Sequence, residues 1–267
     1  MTSYRFPNET IIFWATMLLL LGVLAVAAGV SACIAPLIVA GMLVLSFYMN
    51  KQHHQSLLRE GKQVDTVNSP RLNAIAQQCV RRLRSPRVEF FVIPSRQMNA
   101  YTFGLSEPNA VVLFDCLFNY MDEDELRFII GHELGHVSLG HSWLNTLLGG
   151  MAGVPVSLEA AVILTLAFRG WNRACEFSCD RAGLLACGSV DKAISALIKL
   201  QARDADTPQE LDAALRQIDA EDDNIGNVLA NTLSTHPMLI KRINELRSWA
   251  ATEQYRRLQA QAFSNAG

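Results

Sequence analysis

His132-Glu133-Leu134-Gly135-His136 sets two imidazoles four residues apart with a carboxylate between them. On a helix, residues at that spacing stand one turn above each other on one face, so both imidazoles reach one ion. Glu133 is rotated about 100° from His132. Its carboxylate reaches a water polarised by the ion without itself binding the ion. Zinc brings the pKa of such a water to about 7, and a carboxylate so placed takes the proton as the oxygen attacks a carbonyl. One zinc ion per chain is the expected cofactor, with His132 and His136 as ligands and Glu133 as catalytic base. Leu126, Phe128, Ile129, Ile130, Leu134 and Val137 surround the motif with apolar bulk, where histidines without partners would be costly to bury.

A catalytic zinc site takes three protein ligands and leaves one position open. Ser142 excludes a third histidine six residues after His136. His141 falls one residue out of phase and suits an ordinary helix C-terminus. Glu176 is the better candidate. On a helix it shares a face with Asp180, so Glu176 can bind the metal while Asp180 accepts the N–H of a ligand histidine and sets its tautomer. The alternative is a solvated acid pair beside Arg173 and Arg181. A second rival is a closed structural site built from both histidines, Cys175 and Cys179, but it leaves Glu133 without a role.

The motif needs a helix, and four acids at Asp122-Glu-Asp-Glu125 open one that runs to about Leu139, complementing the positive end of its dipole. Those acids need no catalytic role. Glu176 calls for a second helix, from near Trp171 to about Cys187. Before the motif, Pro70–Arg84 has helical spacing of apolar residues with proline at its start. Residues 88–93, 99–104 and 110–114 are β-rich runs. Further helices fit 190–203, 208–220 and 238–261, and residues 220–224 read as a solvated loop. The fold class is α+β: a helix-rich zincin-type metallopeptidase domain with a small sheet, preceded by an N-terminal transmembrane helical hairpin.

That hairpin rests on composition. Half of the 267 residues are hydrophobic and only 18% are charged, below the roughly 25% of an ordinary soluble domain. No charged residue occurs from Thr10 to Asn50. As one helix the run would reach roughly 61 Å, twice a bilayer core of about 30 Å. A turn at Gly29–Pro36 divides it into helices at about 11–29 and 35–49. The basic residues that follow (Lys51, Arg59, Lys62) place the catalytic side in the cytoplasm by the positive-inside rule. Six cysteines scattered over a chain of this size fit free thiols in a reducing compartment. The net charge of −2 gives no nucleic-acid footprint. The expected organisation is an anchor over 1–50, a linker over 51–69, a metallopeptidase domain over 70–250 and a tail over 251–267. Within the domain, residues 143–168 are largely apolar and carry Glu159 as their one acidic or basic residue. They cannot cross a bilayer once without parting the histidines from Glu176, so they are expected to form a hairpin that dips into the cytoplasmic leaflet or packs beside the first two helices.

Over residues 65–250 the sequence resembles the HtpX-like and CAAX-prenyl-protease-like membrane zinc endopeptidases, a gluzincin family. The resemblance is carried by Asp122-Glu-Asp-Glu-Leu126 leading into His132-Glu-Leu-Gly-His136, by Glu176 with Asp180, and by Thr235-His236-Pro237 followed by Arg242. It implies one zinc, Glu133 as base, Glu176 as third ligand, and hydrolysis of misfolded or membrane-associated polypeptides. It also makes residues 99–104 a docking edge and puts His236 and Arg242 near the cleft, where a donor stabilises an oxyanion. From the residues alone, His236-Pro237 is a helix start. Two other functions fit less well: a processing protease with one dedicated substrate, and a non-enzymatic membrane adaptor with a structural zinc site.

Overall fold

In a computed structural model, residues 4–30, 34–104, 107–142, 158–201 and 237–265 are described. Two helices come first, α1 (Glu9–Val30) and α2 (Ile34–Glu60). The second runs into the expected linker as far as Glu60, and a short strand β1 (Lys62–Gln63) follows it. The extension has a packing reason. His53 on α2 lies over Tyr101 and Phe103, with ring centroids at 5.9 and 5.0 Å, and its Nε2 is 3.0 Å from the Tyr101 hydroxyl. Among the described residues no helix is long and apolar enough to cross a membrane.

Next come α3 (Pro70–Leu83), β2 (Val88–Ile93), β3 (Ala100–Phe103) and β4 (Asn109–Phe114). The sheet order is β1-β2-β4-β3. β2 and β4 are parallel, with Phe90 opposite Val111 and Phe91 opposite Val112; β3 is antiparallel to β4, with Thr102 opposite Val111. The period-2 alternation separates two faces. Phe90, Val111 and Leu113 enter the main core. Phe91, Phe103, Ala110 and Val112 form a second cluster on the other face. β3 therefore lies at a sheet edge, with Thr102 on the face of the main core.

A one-turn helix, α4 (Leu117–Tyr120), leads into α5 (Glu123–Ser138). Asp122 caps α5: its Oδ1 accepts from the Asp124 and Glu125 amides, both at 2.9 Å, and Glu125 returns a bond to the Asp122 amide. Glu125 is buried, not solvated. Its carboxylate accepts from Ser195 at 2.6 Å and pairs with Lys199 at 3.0 Å. From Leu126 to Val137 all residues of α5 but Arg127 are buried, so the motif sits in the centre of the molecule.

α6 (Leu158–Cys187) begins well before Trp171 and is continuous through Glu176. The second part of the expected apolar hairpin is thus the start of the Glu176 helix; residues 143–157 lie outside the described residues, as do the expected helix 208–220, the loop 220–224 and His236. Phe168 and Trp171 of α6 pack with Ile12, Phe13, Met17 and Leu20 of α1. α7 (Val190–Gln201) follows. The helix expected over 238–261 is two, α8 (Pro237–Ala250) and α9 (Glu253–Ser264). They are divided at Thr252, whose side chain caps α9 by accepting from the Tyr255 amide at 3.2 Å. The expected tail is therefore mostly helix α9, which buries Tyr255 and Ala262.

Candidate metal centre

Helices α5 and α6 meet closely because glycines line the crossing. A Cβ on Gly135 would stand 3.0 Å from the Ala182 Cβ and from the Cys179 Cα; one on Gly131 would stand 2.4 Å from the Ala186 Cβ. From the opposite helix, a Cβ on Gly183 would meet the Phe128 ring at 2.7 Å. This approach brings the face of α6 that carries Glu176 and Asp180 against the two histidines of α5.

The two Nε2 atoms converge on one carboxylate. His132 Nε2 is 3.7 Å from Glu176 Oε2, and His136 Nε2 is 3.6 Å from Glu176 Oε1. These separations are long for hydrogen bonds. Ligands bound to one zinc at about 2.0–2.1 Å in a tetrahedron stand about 3.4 Å apart. The three side chains fit a metal ion.

The other nitrogens are already engaged. His132 Nδ1 is 3.1 Å from Asp180 Oδ1 and His136 Nδ1 is 3.3 Å from His141 Nδ1. Each ring therefore offers its Nε2 toward Glu176. Arg242, from α8, completes the arrangement. It donates to both oxygens of Asp180, Nε to Oδ2 at 2.8 Å and Nη2 to Oδ1 at 2.6 Å, while its Nη1 stands 3.0 Å from Glu176 Oε2.

The charges follow from burial and these partners. Burial, then His132, His141 and Arg242, hold the pKa of His136 well below 6.5, so its imidazole is in the neutral, ligand-competent form. Burial also opposes a charged His132, but the Asp180 hydrogen bond and the nearby Glu176 outweigh it and raise the pKa. Asp180 stays below the ordinary carboxylate value: burial pushes it up, and Arg242 and His132 more than reverse this. Glu133 moves the other way. Burial raises its pKa and Glu176 adds to the rise, against His132 and a hydrogen bond from Thr102.

Cys179 gives a competing ligand set, since its Sγ, His132 and His136 also lie near one another. Two observations favour Glu176. The Cys179 sulfur is 3.6 Å from His141 Nδ1, on the side of the rings already engaged. Glu176 also lines the cavity beside the histidines, whereas Cys179 does not. Cys175 is buried against α1 in a separate cluster with Phe168 and Trp171.

That cavity measures about 400 Å³. Asn99–Thr102 along the β3 edge form one wall, His132, Glu133, His136 and Glu176 the base, and Met238, Leu239 and Arg242 the opposite side. The Thr102 hydroxyl is 2.7 Å from Glu133 Oε2. Thr102 and His141 were not singled out from sequence as chemical partners. No local signal marks Thr102. His141 does have one, in Gly140, whose φ of +76° ends α5 by a left-handed cap.

A family profile described as Peptidase family M48 matches residues 67–250. A protein named "Protease HtpX homolog" from Desulforapulum autotrophicum is 24% identical over 276 residues, covering 90% of this chain and 88% of its own length. Another of that name from Ralstonia pickettii is 27% identical over 255 residues, covering 83% and 88%. A third, from Pelotomaculum thermopropionicum, is 22% identical over 278 residues, covering 89% and 98%.

Proposed function

Since the chain belongs to peptidase family M48, as an HtpX-like metalloendopeptidase, we propose that it is a membrane-anchored zinc enzyme hydrolysing peptide bonds of misfolded or membrane-associated polypeptides. His132, His136 and Glu176 would hold the ion, and Asp180 and Arg242 would orient them. Zinc bound there would supply acidification of a water and polarisation of the scissile carbonyl. Glu133 takes the proton of the attacking water and delivers it to the leaving amine. Its burial, which raises its pKa, suits both halves of that task. Arg242, which lines the cavity, is also placed to bind the developing oxyanion. His236 is kept as a second donor for the same charge, from the resemblance alone.

The observation that carries this reading is the convergence of both Nε2 atoms on Glu176 beside Glu133. The β3 edge along one wall suits an extended polypeptide, whose backbone would pair with the strand. Membrane anchoring by α1 and α2 is supported by their outward side chains: Ile11, Trp14, Leu18, Leu37 and Val44 are each at least 65% exposed. Apolar exposure on that scale marks contact with another phase or partner. The basic residues after the apolar part of α2 put the catalytic side in the cytoplasm. In this organisation residues 1–50 are the anchor, 70–250 the metallopeptidase domain, and the apolar start of α6 meets the membrane beside α1.

The test is casein cleavage and zinc content in detergent for wild type and Glu133→Gln. About one zinc per chain in both, with cleavage nearly abolished in the variant, is expected. A variant that still cleaves, or that loses zinc along with activity, would sink the assignment of Glu133 as base.

A further inference from the structure

His141 lies five residues after His136, a spacing that puts two side chains on different faces of a continuous helix. The helix does not continue. Gly140 takes a φ of +76°. Its amide bonds to the Val137 carbonyl at 3.1 Å, and the His141 amide bonds to the His136 carbonyl at 2.8 Å. These two bonds make a Schellman cap, in which the second residue beyond the helix end folds back onto the residue five before it. Here the pair so joined is His141 and His136. The rings meet edge to face with centroids 5.4 Å apart and the two Nδ1 atoms 3.3 Å apart.

His141 is 1% exposed. Its other nitrogen, Nε2, is 3.0 Å from Glu9 Oε1. Glu9 opens α1 and is itself fully buried. The Arg5 guanidinium donates to the same carboxylate, as does the Ser178 hydroxyl of α6. Arg5 also donates to the Leu139 carbonyl at 2.8 Å, and the Phe6 amide donates to the Ser178 hydroxyl oxygen at 2.8 Å. Residues 5–9 are thus tied to the end of α5 and the middle of α6.

We propose that His141 is a positioning residue for the metal ligand His136, held in the required tautomer by Glu9, so that the first turn of α1 is part of the metal centre. This rests on His136 being a ligand through Nε2. The protons then follow in order. A ring that binds metal through Nε2 carries its proton on Nδ1. The His136 Nδ1–H donates to His141 Nδ1, which must be the acceptor. The His141 proton is therefore on Nε2, where it faces the Glu9 carboxylate. His132 reaches the same end through a carboxylate directly, with Asp180 at 3.1 Å. Each ligand ring is locked by its own partner, His132 by Asp180 of α6 and His136 by His141, which Glu9 of α1 holds in turn. Glu9, His141 and Cys175 also lie close enough to hold an ion of their own. The Arg5 guanidinium already supplies the positive charge to Glu9, which argues for the hydrogen-bonded pair.

The experiment measures zinc affinity of the full-length protein in detergent by chelator competition, with zinc alone as probe. It compares wild type with His141→Ala, His141→Phe, His141→Gln, Glu9→Ala and His136→Ala, and follows the melting temperature of each metal-free form. His141→Ala and His141→Phe should weaken zinc binding by about 10–100-fold, and Glu9→Ala in the same direction. His141→Gln should restore most of the affinity, because its amide oxygen accepts the same proton. Wild-type affinity in His141→Phe would overturn the proposal, as would equal weakness of the Gln and Ala variants, which would mean packing alone. Two zinc ions per wild-type chain, one of them lost in Glu9→Ala, would overturn it in favour of a second metal site. Zinc retained in His136→Ala would instead strike the ligand assignment on which it rests.

Discussion

Arg242 and Asp180 form a two-bond pair at 2.8 and 2.6 Å, both side chains largely withdrawn from water, 62 residues apart in sequence. The geometry suits a planar guanidinium and no other side chain. It joins α8 to α6 at the point where Asp180 meets His132. The helix that carries Arg242 is thereby part of the site's support.

Arg242→Met should therefore cost the metal-free protein about 3 kcal/mol, since Asp180 is left buried beside Glu176 without its counter-charge. Asp180→Asn should cost a similar amount by stranding Arg242. Combined, the two changes should cost less than their sum by about 1–3 kcal/mol. Urea unfolding of the four proteins measures this coupling, and strict additivity would mean that the pair is not an energetic unit.

Metal content decides between the two carboxylate and thiol ligand sets. Glu176→Ala should lose zinc outright, while Cys179→Ser and Cys175→Ser should retain about one ion per chain. Elemental analysis after desalting gives the answer. Zinc kept in Glu176→Ala and lost in Cys179→Ser would move the ion to the thiol side of the rings.

Thr102 holds the carboxylate of Glu133 from the β3 edge at 2.7 Å. Thr102→Val keeps the shape and removes the donor. It should lower kcat by about tenfold with zinc content unchanged, a scale set by about 1.4 kcal/mol for one hydrogen bond to a charged group. Thr102→Ser should recover most of the rate. If the valine and serine variants are equally slow, the hydroxyl is not the cause.

The cap of α5 should show in acid. Burial alone would raise the pKa of Asp122, but the Lys192 hydrogen bond and the Glu125 and Asp124 amides bring it below the ordinary 3.8. A depressed folded-state value means stability that is present above the unfolded pKa and lost as pH falls through the folded one. Asp122→Asn keeps an acceptor for the amides and loses only the charge. Its deficit should be about 0.5–1 kcal/mol at pH 7, as for a half-exposed pair, and should fade as the pH falls through the depressed folded-state pKa, below 3.8. Thermal melts across that range test the sign. A deficit that stays constant with pH would show that charge plays no part.

What was legible in the sequence was local. The His132/His136 spacing and the Glu176/Asp180 spacing each report one face of one helix, and both faces are where the spacing puts them. The three main strands and the limits of α5 were legible for the same reason. Contacts made by distant partners were not. Glu125 reads as one of four acids at a helix start because nothing nearby discloses Lys199, 74 residues on. Helical phase counting sets His141 aside because it assumes a helix that Gly140 has already ended. At Thr252 a cap residue was in view, but the apolar period continues across it and hides the break between α8 and α9. The early start of α6 was missed because an apolar run preceding Trp171 has the same composition whether it turns back or continues.

The residues of the candidate metal centre enter the chain in a fixed order, and the order separates reactivity from exposure during synthesis. His132 and Glu133 emerge well before Glu176, and Arg242 lies 62 residues after Asp180. A growing chain that has released the motif but not α8 has Asp180 and Glu176 without the guanidinium that pairs with both. The finished arrangement is assembled by nearly the whole chain. A nascent molecule thus carries the hydrolytic motif through the ribosome, and past its neighbours, in an unassembled state. Competence to cleave arrives as a late event of folding.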